Sequence, residues 1–174
     1  MNLGMKVVAE LAQLRRGPHE KPPALTPLPP GGWLYEDITD GIHLKIELAD
    51  FDRFGYLVNK ITAVRTSSLP AAKPVKELLA EQAAVLEQRV TYLLESFRLI
   101  ELDETTNRAQ VRSATPYREA EAIQYYEALL EQGGVLVFSR YAGSRTDRAL
   151  QPFHVTDDVC RRLLNDLAAA LLVS

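Results

Sequence analysis

Cys160 is the single cysteine of this 174-residue chain, and His154 lies six positions before it. A thiol in the opening turn of a helix, with an imidazole nearby to take its proton, is the arrangement of a cysteine nucleophile. Asp157 and Asp158 work against it, because neighbouring carboxylates raise a thiol's pKa. The expectation is a small apolar core side chain at Cys160. One cysteine also excludes an internal disulfide and any cysteine-based metal cluster. His19, His43 and His154 are scattered, and none has a second histidine four positions away, the spacing of a helical zinc pair. Asp50 and Asp52 open like a calcium loop, but position 54 is Phe and Gly55 misses the sharp turn. His43 and Glu47 share a strand face at a separation of roughly 13 Å, too far for one ion. No metal and no cofactor are expected.

The carboxylate groups Glu36/Asp37/Asp40 and Glu101/Asp103/Glu104 fall in or beside turns, where charges are solvated. Acid–base catalysis requires one member to be desolvated. Gly31-Gly32 and Gly133-Gly134 make neither phosphate-binding pattern, and no lysine follows them. Ser139 and Ser144 lack a nucleophile-elbow context. Arg140, Arg145, Arg148, Arg161 and Arg162 gather late in the chain. The aspartates among them and a net charge of −3 weaken any pull on phosphate. Arg89, Arg98, Arg108 and Arg112 would be the contacts of a winged helix, but a β-meander stands where its first two helices belong.

Aromatic side chains are the remaining material for a site. Trp33, Tyr35, Tyr125, Tyr126, Phe138 and Tyr141 lie on segments that read as strands. Gathered on one concave face, they would line an apolar ligand pocket; turned inward, they are sheet core.

The elements that must position these residues read clearly. Leu3, Val7, Leu11 and Leu14 form one stripe of a helix over about 2–16, with Asn2 as N-cap and Gly17-Pro18 as stop. That stripe is the expected interface, reaching a neighbouring subunit or a distant part of its own sheet. Residues 18–32 hold six of the ten prolines and read as an extended arm. Strands are expected over 33–38, 42–48 and 55–65, the first pair joined at Asp40-Gly41. Val75, Leu78, Leu79, Ala83, Leu86, Val90, Leu93 and Leu94 predict a long helix over about 73–96. Strands follow over 97–102 and 109–113, then over 135–141 and 149–155. Thr156 caps a last helix striped by Val159, Leu163, Leu167 and Leu171. Residues 119–132 carry helical spacing, yet β-prone Ile123-Gln124-Tyr125-Tyr126 and the Gly133-Gly134 turn favour a strand.

The fold class is therefore α+β, in the order α-βββ-α-βββββ-α. A single antiparallel sheet of about seven or eight strands, open or strongly curved, packs one face on the long helix. The organisation is an amphipathic helix (1–17), a Pro-rich arm (18–32) and one domain (33–174). With 47% hydrophobic and 25% charged residues the chain has the means to form a core. No apolar run is long enough to span a membrane, and the first residues do not read as a secretory signal. The expected location is cytoplasmic. Element order, size and mild acidity resemble those of the small acidic secretion chaperones, with more strands after the long helix than that fold has.

Because every catalytic constellation fails, the leading expectation is a non-enzymatic accessory protein. It would bind a protein partner or a second copy of itself as a homodimer, and neither nucleic acid nor membrane. The alternative is a small-ligand module using the six aromatics. A Cys160–His154 enzyme comes last.

Overall fold

A computed structural model describes residues 2–17, 22–93, 95–114, 117–119, 122–143 and 147–174. Helix α1 (Leu3–Leu11) begins where the Asn2 side chain accepts from the Met5 amide, then tightens into a 3-10 turn over Ala12–Arg16. Short strand β1 (Leu25–Pro27) leads into β2 (Trp33–Thr39), β3 (Ile42–Phe51) and β4 (Gly55–Arg65). Helix α2 (Val75–Arg89) connects them to β5 (Phe97–Asp103), β6 (Arg108–Ser113), β7 (Tyr117–Glu119), β8 (Ala122–Glu131) and β9 (Val135–Gly143). Strands β10 (Arg148–Leu150) and β11 (Phe153–Thr156) precede α3 (Asp157–Leu171), whose N-cap Thr156 accepts from the Val159 amide.

The strands form one antiparallel sheet in the order β1-β2-β3-β4-β9-β8-β6-β5, with β7, β10 and β11 pairing beside β8, β9 and β4. It is not closed: β1 and β5 are its edges. The expected α+β class and antiparallel sheet are present. Residues 122–131 are strand rather than helix, because pairing with both β6 and β9 buries Tyr126, Ala128 and Leu130 on one side.

Three boundaries differ from expectation. Helix α2 ends at Arg89 rather than near 96, where the β-branched and aromatic run Val90-Thr91-Tyr92 disfavours helix. Val90 and Leu93 still bury, from irregular backbone; Leu94 lies outside the described residues. The expected strand over 149–155 is two short strands, since Pro152 cannot donate to a ladder. Within the proline-rich segment, Leu25–Pro27 pairs with β2 as an edge strand, where a missing amide costs nothing; residues 18–21 lie outside the described part.

All three helices cover one side of the sheet. A bulge helps keep that side apolar: Glu47 pairs with Lys60 but Leu48 with Val58, leaving Asn59 as the extra residue. The parity switch turns Tyr56, Val58, Ile61 and Ala63 all to the core. Phe97, Tyr126, Phe138 and Phe153 meet there with ring centroids 5.5 to 6.3 Å apart. Gln82 is wholly buried in α2; its Nε2 donates to the Gly133 and Leu171 carbonyls, fixing the β8–β9 turn and the end of α3.

Candidate functional site

Successive residues of a strand point to opposite sides of a sheet. Tyr126, Ala128 and Leu130 of β8 enter the core, so Tyr125, Glu127, Leu129 and Glu131 face away from the helices. Register places Arg112 of β6 and Ser139 of β9 on either side of Glu127, and Tyr141 beside Tyr125. Leu150 of β10 stands next to Tyr141.

Glu127 is the centre of this patch. Its side chain is only 3% exposed, although it lies on the side without helices. Arg112 covers it from one side, Nε donating to Oε2 at 2.6 Å, and donates from Nη2 to Gln110 at 3.0 Å. Arg148 covers it from the other, Nη1 lying 3.2 and 3.0 Å from the two carboxylate oxygens and 3.3 Å from the Tyr125 hydroxyl. Burial works against the charge of Arg148, but its bonds to Tyr125 and Glu127 outweigh that and raise its pKa above the ordinary guanidinium value. The cation is permanent.

Each guanidinium also lies over a ring: Arg112 is 5.1 Å from the Tyr125 centroid and Arg148 is 4.1 Å from that of Tyr141. The two tyrosine rings are 5.9 Å apart. The buried carboxylate thus orders two arginines and two tyrosines on a solvent-facing surface. Ser139, opposite Glu127, has a buried Oγ without a hydrogen-bond partner among the described residues.

The six expected ligand-site aromatics do not converge. Tyr125 and Tyr141 belong to this patch. Tyr126, Phe138 and Tyr35 are core on the helix side, Tyr35 donating to Glu10 at 2.7 Å. Trp33, on β2, packs against the core margin. The expected interface stripe, Leu3, Val7, Leu11 and Leu14, is buried within this chain's own core, with α1 lying against α3.

Cys160 is 3% exposed, and burial, reinforced by Asp157, pushes its thiol up to about 12. His154 instead borders a surface cleft of about 150 Å³ with Asp50, Phe51, Asp52, Gly55 and Leu57. Its Nε2 is 4.0 Å from Asp52. His43 pairs with Glu36 at 2.7 Å, not with Glu47, which is paired with Lys60. Among the described residues no three His, Cys, Asp or Glu side chains converge as metal ligands; His19 lies outside them.

Compared with known proteins, the chain matches no family model, no curated protein and no solved structure. The reading of its function rests on the geometry above.

The arginines and tyrosines of the patch were visible as residue types, but Glu127 was not. One signal pointed to it: a carboxylate at an interior position of an otherwise apolar, β-prone run requires a cationic partner if that run is a strand.

Proposed function

We propose that the protein works by docking rather than by catalysis, as a cytoplasmic accessory protein. It takes a protein partner on the helix-free side of its sheet, at Arg112, Tyr125, Tyr141, Arg148 and Leu150. One observation carries this reading. The buried carboxylate of Glu127 holds both arginines against both tyrosines while leaving them in contact with solvent. Tyrosine and arginine are the side chains that dominate binding hot spots. Ordering them before the partner arrives lowers the entropy lost on association. The sealed thiol of Cys160 further supports a non-catalytic role.

A photo-crosslinking phenylalanine derivative at position 141 of the full chain, expressed in cells, tests the proposal. The same residue at position 77, on the exposed side of α2, is the control. A protein adduct at 141 that is absent at 77, and lost when Arg148→Ala and Tyr125→Ala are added, is the expected result. Equal labelling at the two positions would overturn the reading.

A further inference from the structure

Two guanidiniums share one carboxylate at the Glu127 patch, so it keeps a net positive charge on a chain whose total is −3. Arg148 uses Nη1 for Glu127 and Tyr125. Among the described residues its Nε and Nη2 have no partner, and its side chain is 38% exposed. These two N–H groups point the same way, the fork that a carboxylate accepts with both oxygens. Beside the fork, Leu150, Tyr141 and Tyr125 stand in register on three adjacent strands. Leu150 is 43% exposed.

We propose that this patch binds an acidic segment of the partner protein, an Asp or Glu carboxylate seated on Arg148 next to an apolar side chain seated on Leu150 and the tyrosine rings. The inference rests on the docking reading above and gives its partner a chemistry. A single carboxylate requires only local complementarity, which the patch has. A polyphosphate strand needs a row of unpaired cations, but Arg108 and Lys60 on the same side of the sheet are taken up by Glu131 and Glu47, and the chain as a whole is acidic. Tyrosine and arginine do stack on bases, so an oligonucleotide belongs in the test.

The test measures fluorescence anisotropy of a dye-labelled peptide alternating leucine and glutamate, its glutamine counterpart, and labelled oligothymidylate, each against the full chain. The glutamate peptide should bind about tenfold more tightly than the glutamine peptide, and its affinity should fall as salt rises. Arg148→Gln should abolish the preference. Leu150→Asp, which does not touch Glu127, should weaken the glutamate peptide by about tenfold through repulsion and loss of apolar contact. This second variant keeps the test valid if Arg148→Gln fails to fold.

Equal binding of the two peptides, indifference to both variants, or tighter binding of the oligonucleotide would overturn the proposal. So would a dimer, seen by light scattering, that Leu150→Asp dissociates, since the patch would then take a second copy. A partner crosslinked at position 141 through a segment lacking Asp and Glu would end the acidic preference and leave the docking reading standing. Absence of any adduct specific to position 141 would end both.

Discussion

Arg15 closes a two-pronged ion pair with Asp157, its Nη1 and Nη2 donating at 2.8 and 2.7 Å to the two carboxylate oxygens. The pair joins the 3-10 turn after α1 to the first turn of α3, and the guanidinium also lies 4.7 Å from the Tyr56 ring centroid. Arg15 holds the Asp157 carboxyl below its ordinary value of 3.8, with burial opposing. A folded-state pKa below the unfolded one stabilises the protein above the unfolded value, and that contribution is lost as pH falls through the folded one. Thermal unfolding of the wild type should therefore lose this stability below about pH 4. Asp157→Asn should be less stable than the wild type near neutral pH, and the gap should narrow with acidification. A gap that is constant with pH would refute the assignment. Arg15→Ala should cost about 1 kcal/mol at neutral pH, modest because the carboxylate is partly solvated.

Glu127 and Ser139 predict opposite outcomes from neighbouring positions. Glu127→Gln leaves two partly exposed guanidiniums facing a buried neutral amide, and should cost about 2 kcal/mol by urea unfolding. Ser139→Ala removes a buried hydroxyl that has no partner among the described residues. It should be neutral or stabilise by up to about 1 kcal/mol. Comparable losses for the two variants would mean that the Ser139 hydroxyl is bonded in solution.

Cys160 should resist modification. In the native protein at pH 8, iodoacetamide should alkylate it orders of magnitude more slowly than in denaturant, since the thiol is buried and its pKa lies at about 12. Rapid native labelling would reopen a catalytic role for the residue.

Strand β5 is an open edge with Leu99 and Ile100 exposed, and its guard is Glu87. From α2, the Glu87 carboxylate accepts the Leu99 amide at 2.6 Å. A register shift between Leu99 and Glu101 further disturbs the ladder. Both are devices that keep an edge from pairing with another chain. Glu87→Ala should raise the mass seen by light scattering as concentration rises. An unchanged mass across the same range would mean that the register shift alone protects the edge.

Gly4 limits how closely the first and last helices can approach. A Cβ at this position would collide with the Arg161 carbonyl, and the Gly4 amide donates to Asn165 at 2.9 Å. Gly4→Ala improves helix propensity yet should lower the melting temperature by several degrees, because the α1–α3 contact must open. A higher melting temperature would show that the helices can shift apart without loss.

Periodicity made most of the fold readable. The alternation of Ile42, Leu44, Ile46 and Leu48 and the three-and-four spacing of Leu78, Leu79, Ala83 and Leu86 each have one physical reading, and the structure has it. What stayed hidden depends on register. Tyr125 and Tyr126 are adjacent in sequence but lie on opposite sides of the sheet. The arginines around Glu127 come from β6 and β10, on either side of the β8–β9 hairpin. Local pattern reports which residues a strand turns inward, not which strand will lie beside it. The docking of α1 on α3 was invisible for the same reason, being a contact between distant parts of the chain.

That contact also orders events during synthesis. The apolar stripe of α1 leaves the ribosome well before residues 157–171, which carry the helix it packs against. Until α3 is made, Leu3, Val7 and Leu11 lack a large part of the surface that covers them in the fold. Completion of this fold therefore waits for α3, and until then α1 offers its greasy stripe to whatever chaperone attends the nascent chain.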